Sequence, residues 1–161
     1  MKNNLPTHIG KLQERIIEFL IKIPLFDRLD ATELQLIAHH MNFFEIQKNA
    51  VLFNEGDKGD YVCFIVDGQL DVIKESASGQ PVVIATLSKG RTIGEMSIID
   101  NTPRSATIKA KSDATLVSLT GKGLESILQN QPQIGIKILK GLARLLSMNM
   151  RKTSSQLADN M

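Results

Sequence analysis

The chain begins with apolar residues at helical spacing. A first run lies between Thr7 and Ile23 and ends before Pro24. Its apolar positions are Ile9, Leu12, Ile16, Phe19, Leu20 and Ile23. Asp30 and Glu33 then have the spacing of a capping box, which favours the start of a second helix. The apolar positions on one face of that helix are Leu34, Ile37 and Met41.

From Phe43 the pattern changes to short runs rich in Val, Ile, Phe and Thr, which continue to Thr120. Such runs are typical of short antiparallel strands. Glycines fall at the breaks, where they allow backbone conformations that a side chain would forbid. These glycines are Gly56, Gly59, Gly68 and Gly79. The pattern predicts a compact sandwich or barrel.

Helical spacing returns after Thr120. Its apolar positions are Leu124, Ile127 and Leu128, followed by Ile134, Ile138, Leu142, Leu145 and Leu146. Pro132 lies near the start of the second group, where a first helical turn tolerates proline. We therefore predict one α+β domain over residues 1–161, with helices in 1–42, a β unit in 43–120 and helices in 121–161.

Composition and charge narrow the class of protein. A chain of 161 residues with 42% hydrophobic and 22% charged residues suits a single globular domain. Its net charge of +2 is too close to neutral for a dedicated nucleic-acid binder, so we expect no direct nucleic-acid partner. The apolar stretch from Ile16 is interrupted by Glu18 and Lys22 and is too short to span a membrane. The one cysteine, Cys63, lies in an apolar run and permits no internal disulfide, which favours a reducing, cytoplasmic location.

The segment GEMSIIDNTPRSA, residues 94–106, carries the candidate chemistry. Gly94 allows close approach of the backbone, and a helical turn over 95–99 would direct free amides at one point. Arg104 supplies a fork of donors suited to a phosphate, and Ser105 adds a hydroxyl and an amide. Glu95 accepts hydrogen bonds and suits a sugar hydroxyl of the same ligand. The segment thus predicts a small nucleotide site, although its spacing is equally consistent with a Glu95–Arg104 salt bridge between two strands.

The longer segment GEMSIIDNTPRSATIKA resembles the phosphate-binding cassette of cyclic-nucleotide-binding domains, with the spacing found in regulatory subunits of cAMP-dependent protein kinase. EGDKGDYVCFIVDGQLDV resembles the glycine-punctuated hairpins of that family, and LTGKGLESILQNQPQIGIKILKGLARLL resembles its closing helices. The resemblance covers nearly the whole chain. It implies an antiparallel, jelly-roll-like β-roll between N-terminal and C-terminal helices, with the cassette at 94–106.

The resemblance also implies a role for particular residues. Glu95 would accept a hydrogen bond from the ribose 2′-hydroxyl, and Arg104 would bind the cyclic phosphate. The anion site would be completed by Gly94, Met96, Ser97 and Ser105. Ribose and base would contact Val72, Ile84 and Ala85.

The end of the chain, MNMRKTSSQLADN, resembles the dimerising helix of the catabolite activator protein's ligand domain. There a Thr-Ser pair reaches the adenine amino group, which implies this role for Thr153 and Ser154. The alternative is that both are polar residues on a solvated helix end. The sequence departs from the family at Asn149, where an arginine is expected, so the resemblance implies no helix-borne partner for Glu95.

Two features of the last helix concern partners. Leu142, Leu145 or Leu146, Asn149, Thr153 and Gln156 keep a roughly heptad spacing, which favours a homodimer, although packing on the chain's own barrel explains the leucines equally well. Basic residues also recur along this helix and are expected on a solvated face, with an acidic partner as the alternative. They are Lys137, Lys140, Arg144 and Arg151.

A metal-dependent barrel enzyme is the contrasting hypothesis. It needs clustered histidines on strands, whereas His8, His39 and His40 all precede the β region. We find no catalytic arrangement and predict no enzyme, no metal and no cofactor. The sequence predicts a sensor of cyclic AMP, before cyclic GMP, whose C-terminal helices pivot near Leu124 and Leu128 and signal to an effector protein. A cyclic GMP-selective sensor and a ligand-blind interaction module of the same fold are the alternatives.

Overall fold

The computed structural model describes residues 7–159, with side chains from residue 10 onward. Residues 1–6 and 160–161 of the predicted domain, and the side chains of His8 and Ile9, lie outside the described residues. Within them, the predicted order of helices, β unit and helices is found.

The N-terminal helices differ from the prediction at their ends. The first, α1, spans Thr7–Leu20, and a 3₁₀ turn follows at Pro24–Phe26. The second, α2, spans Ala31–Ala38 and starts with the predicted capping box, in which Asp30 and Glu33 each accept a hydrogen bond of 2.9 Å from the other's amide. Placing Met41 on this helix was wrong. It opens the first strand and is buried there opposite Leu119, because the chain turns immediately after Ala38.

Eight strands form two four-stranded sheets in the described part of the chain. Their bounds are β1 Met41–Ile46, β2 Val51–Phe53, β3 Tyr61–Asp67, β4 Leu70–Glu75, β5 Pro81–Leu87, β6 Thr92–Ile93, β7 Thr107–Ala110 and β8 Ala114–Thr120. The orders are β1-β8-β3-β6 and β2-β7-β4-β5, and the pairs are antiparallel. The predicted antiparallel β-roll is therefore confirmed.

The two faces of the first sheet serve different cores. One face, with Phe64 and Val117, packs against the helices, including Ile37 and Ile138. The other face, with Ile65 and Leu116, packs against the second sheet. Alternation of side chains along β3 and β8 divides the residues between the two cores. The loops at one end of the roll are thereby held against a rigid support.

Three helices follow the sixth strand. They are α3 Glu95–Asp100, α4 Gly121–Asn130 and α5 Pro132–Asp159. Pro132 occupies the first position of α5, as its backbone chemistry allows. Two of the basic residues expected on a solvated face instead tie α5 to the N-terminal region. Lys137 pairs with Glu33 at 2.6 Å, and Arg144 pairs with Asp27 at 3.2 Å.

Candidate functional site

The backbone at Gly94 sets the geometry of the predicted cassette. Its φ of +79° lies in the left-handed region, which side chains rarely adopt, and it directly precedes α3. A Cβ at this position would also overlap Nη1 of Arg104. Glycine is thus required twice, for the turn into the helix and for the approach of the guanidinium.

Arg104 lies beneath this turn and is only 3% exposed. Its guanidinium carbon is 4.0 Å from the ring centre of Phe53 and 4.5 Å from that of Tyr61. Nη1 donates to the Gly94 carbonyl at 3.3 Å, whereas the buried Nε and Nη2 have no hydrogen-bond partner among the described residues. A buried, always charged guanidinium with two open donors is strongly favourable for binding an anion.

The backbone of Arg104 is held from the opposite side of the cassette. Its amide donates to the Asp57 carbonyl, and its carbonyl accepts from the Gly56 amide, both at 2.8 Å. The next residue is fixed as well, because Lys74 Nζ donates to the Ser105 carbonyl at 2.6 Å. Lys74 also pairs with Glu55, and this hydrogen bond lowers the pKa of the Glu55 carboxyl. The end of the segment that carries Arg104 and Ser105 therefore rests on the loop between β2 and β3 and on β4.

Ser97 packs into a space that Gly59 leaves open. Ser97 lies in α3 and is 3% exposed. A Cβ on Gly59 would overlap the Ser97 side chain and lie 3.1 Å from Nε of Arg104. The prediction that Gly59 supplies a backbone conformation forbidden to a side chain was wrong, because Gly59 is not among the described glycines with positive φ. Its structural function is to let the cassette close onto the β2–β3 loop.

Glu95 and Arg104 form no ion pair in the described chain, where the salt bridges join other residues. Glu95 Oε1 instead accepts from Nδ2 of Asn149 on α5, at 3.3 Å. Burial raises the pKa of the Glu95 carboxyl, opposed by its hydrogen bonds and by Arg91 and Arg104. The strand-stapling salt bridge left open by the spacing is thus not formed. The departure from the family at Asn149 still supplies a partner from the last helix, as an amide.

A cavity of about 130 Å³ opens beside these groups. Seven predicted site residues line it: Val72, Gly94, Glu95, Met96, Ser97, Arg104 and Ser105. The other four do not. Ile84 and Ala85 lie on the exposed edge strand β5, and Thr153 and Ser154 lie on the exposed end of α5, where Thr153 Oγ1 donates to the Asn149 carbonyl at 3.0 Å. Their predicted contacts with the ligand remain predictions.

Several residues at the site were not predicted from the sequence. The guanidinium lies over the rings of both Phe53 and Tyr61, whose planes are inclined at 72° to each other. The cavity wall also includes Leu87, Thr92 and Ile108. A period of two places such residues on strands, but it does not show which of them meet across two sheets. The sequence offered one signal for two of these residues, because Phe53 and Tyr61 are aromatic residues on either side of the glycine-rich turn.

The described residues contain no cluster of three or more His, Cys, Asp or Glu side chains arranged to hold a metal ion. Within the same residues, no helix has the length and apolarity needed to cross a bilayer. Cys63 is fully buried, and burial raises the pKa of its thiol to about 12. A thiol of that kind is a core residue and a poor nucleophile.

Comparisons with known proteins agree with this geometry. The family model described as the cyclic nucleotide-binding domain matches residues 43–131, more than half of the chain. A crystal structure of a cyclic nucleotide-binding domain from Methylobacillus flagellatus matches with a TM-score of 0.84 and 32% identity, covering 94% of this chain and 85% of that one. The similarity extends over the sheets and the flanking helices.

Two curated relatives are longer proteins. A cAMP-dependent protein kinase regulatory subunit from Mycosarcoma maydis is 34% identical over 93 residues, which is 58% of this chain and 18% of that protein. A cGMP-dependent protein kinase from Plasmodium berghei is 32% identical over 119 residues, which is 72% of this chain and 13% of that protein. The chain therefore spans less than a fifth of either relative.

Proposed function

Because the chain belongs to the cyclic nucleotide-binding domain family, we propose that it is a non-catalytic sensor of cyclic AMP, with cyclic GMP as the second choice of ligand. The observation that carries this proposal is the buried Arg104 guanidinium, whose Nε and Nη2 have no hydrogen-bond partner within the part of the chain that the structure describes. A ligand-blind module would gain nothing from such a group, since an uncompensated buried charge destabilises the fold.

The ligand would bind with its two polar ends on different residues. The cyclic phosphate would lie between Arg104 and the amides of Met96 and Ser97 at the start of α3, completed by Ser105. Glu95 would accept from the ribose hydroxyl, and Val72 would contact the ribose. The base would then extend towards β5 and α5. Ile84, Ala85, Thr153 and Ser154 are proposed to contact it there, once the ligand brings α5 over the cavity.

A route from the cavity to the last helix starts at Glu95. A ribose hydroxyl that donates to Glu95 competes with Asn149 for the same carboxylate. Ile98 of α3 packs against the core cluster that holds Leu124 and Ile138, so a shift of α3 also reaches α4 and α5. We expect α4 and α5 to pivot near Leu124 and Leu128, with the ligand favouring the arrangement it binds better.

The exposed end of α5 supports a homodimer on a different face from the predicted one. Leu142 is buried in the chain's own core and Asn149 contacts Glu95, so that part of the heptad pattern is used internally. Met150 and Leu157, spaced by seven residues, are 73% and 66% exposed. Such a stripe suits pairing with a second copy of the helix, and sedimentation analysis of Leu157→Glu against the parent would test it. The remaining output is proposed to pass to an effector protein, without direct nucleic-acid binding.

A ligand screen tests the function. Melting temperature and calorimetric affinity would be measured with cyclic AMP, cyclic GMP, cyclic dinucleotides and, as a non-cyclic control, 5′-AMP. We expect cyclic AMP to stabilise most and to be recovered intact after incubation. Tighter binding of cyclic GMP would establish the cyclic GMP-selective alternative. An unchanged melting temperature and no heat with every compound would establish the ligand-blind alternative.

A further inference from the structure

A second cavity, of about 250 Å³, lies on the other side of Asn149. It is bounded by the N-terminal turn at residues 22–25, the β5–β6 turn at residues 89–92 and the middle of α5. Three separate parts of the chain therefore meet around it. The predicted cassette does not include this region, and the proposed nucleotide pose does not use it.

The charge around this second cavity is of one sign. Lys22, Lys89, Arg91 and Arg144 line it, and no aspartate or glutamate is among its described lining residues. Asp27 pairs with Arg144 at 3.2 Å and offsets one of the four charges. The other three cations take part in none of the ion pairs formed among residues 10–159. Arg91 also interacts electrostatically with Glu95, so Lys22 and Lys89 carry most of the excess positive charge, which around a concave surface attracts an anion.

The base of the second cavity is apolar. Ile23 and Leu25 are buried beneath it, Leu145 is partly buried, and Met148 is 63% exposed at its edge. Gly141 also belongs to the lining, and a Cβ there would overlap the Leu25 carbonyl, so α5 and the N-terminal turn are already in close contact below the cavity. The base of the second cavity therefore offers an apolar surface, and charged side chains complete its lining.

We propose that this second cavity binds an amphiphilic anion, a small aliphatic molecule with a phosphate or carboxylate head. The aliphatic part contacts Leu145 and Met148, and the head lies among Lys22, Lys89 and Arg91. The same chemistry occurs in a free metabolite and in the exposed end of an anionic lipid. An inorganic anion alone lacks the apolar contacts that the base of the cavity offers.

Occupation of the second cavity would affect the first, and this coupling, unlike the binding itself, rests on the proposed function. Thr92 lines both cavities, and Asn149 lines the second while donating to Glu95 in the first. A ligand that moves Asn149 changes the hydrogen bonding of Glu95. Any change in nucleotide affinity must then be reciprocal, since each ligand alters the affinity of the other by the same factor.

The test uses n-octyl phosphate below its micelle concentration, with inorganic phosphate and octanol as single-feature controls. Binding would be followed by calorimetry and by amide resonance changes. We expect octyl phosphate to bind at least tenfold more tightly than inorganic phosphate, and to shift Leu25, Gly90 and Gly141. The double charge reversal Lys22→Glu with Lys89→Glu should weaken it at least tenfold. The matched reversal Lys111→Glu with Lys122→Glu, at exposed positions elsewhere, should change it less than twofold.

Two further experiments distinguish a lipid head from a free ligand, and the second cavity from the first. Co-sedimentation with phosphatidylglycerol vesicles, reduced by the Lys22 and Lys89 reversal, would identify a lipid head, whereas octyl phosphate binding without co-sedimentation would identify a free ligand. Octyl phosphate should bind Arg104→Met as well as the parent, whether or not cyclic nucleotides bind the parent. Equal binding of inorganic phosphate, resonance changes confined to the first cavity, or binding that survives the charge reversal would overturn the proposal.

Discussion

Replacing Arg104 with methionine tests two effects of the guanidinium separately. One is its effect on the stability of the empty protein, and the other is its effect on the affinity for the nucleotide. Methionine keeps an unbranched apolar stem against Phe53 and Tyr61 but removes the charge and all donors. In the empty protein, Nε and Nη2 are buried without partners, and each such donor costs about 1–3 kcal/mol. The lost contacts with the two aromatic rings are worth about 0.5–2 kcal/mol each. The two effects oppose each other, so we expect the melting temperature of the empty variant not to fall.

In the nucleotide-bound protein, by contrast, the same substitution should be strongly unfavourable. Removing one partner of a buried charge pair costs about 3–5 kcal/mol. This corresponds to a loss of cyclic AMP affinity of roughly 150- to 5,000-fold. Calorimetry would measure the dissociation constant, and thermal melting with and without nucleotide would provide the two stabilities.

Arg28→Met is the matched control, because Arg28 is exposed and the change in charge is the same. It should leave the affinity within about twofold, a difference of only about 0.4 kcal/mol. If Arg104→Met binds cyclic AMP within threefold of the parent while remaining folded, the anion site has been placed wrongly. If the empty variant instead melts far lower, Arg104 is a structural residue and the reasoning from its open donors fails.

Three other changes test the site. Burial raises the pKa of the Glu95 carboxyl, so the fold loses stability as pH rises from the unfolded to the folded pKa of this group, and the loss is constant above it. Glu95→Gln should therefore melt at or above the parent, by a margin that grows over this pH window, yet bind cyclic AMP more weakly. A lower melting temperature at high pH would contradict this sign. Thr153→Ala with Ser154→Ala should narrow the calorimetric preference for cyclic AMP over cyclic GMP, and unchanged selectivity would leave both as solvent-facing residues. Gly59→Ala should lower both the melting temperature and the affinity for cyclic AMP, because the added Cβ would overlap the Ser97 side chain. If both quantities equal those of the parent, the β2–β3 loop can move enough to accommodate the Cβ.

The order of the elements could be predicted because each signal is local. The capping box at Asp30 and Pro132 at the start of α5 depend on neighbouring residues alone, and both were confirmed. Met41 was placed on the wrong element because an apolar residue three or four positions after Ile37 fits a helix as well as the first inward position of a strand. Only the pairing of Met41 with Leu119 decides between the two.

The part of the candidate site that lies within one segment of the sequence could be predicted. Residues 94–97, 104 and 105 line one cavity, and the family match confirms the resemblance from which their proposed roles were taken. The aromatic contacts of Arg104 depend on Phe53 and Tyr61, which reach it from two different sheets. No spacing within one segment contains that information. The same holds for Asn149, whose contact with Glu95 joins residues 54 positions apart.

The Asn149 amide bears on how the proposed site would respond to a ligand. An arginine at this position would form an ion pair with Glu95, and a ligand hydroxyl would have to compete with a full charge. The hydrogen bond from the neutral amide, at 3.3 Å, lies beyond the usual N–H···O range of about 2.7–3.2 Å and lacks the second charge of an ion pair. Under the proposed function, a ribose hydroxyl would replace only this contact between α3 and α5, because the ion pairs of Lys137 and Arg144 hold α5 elsewhere. The helix would then shift only as far as the difference in ligand affinity between its two positions allows.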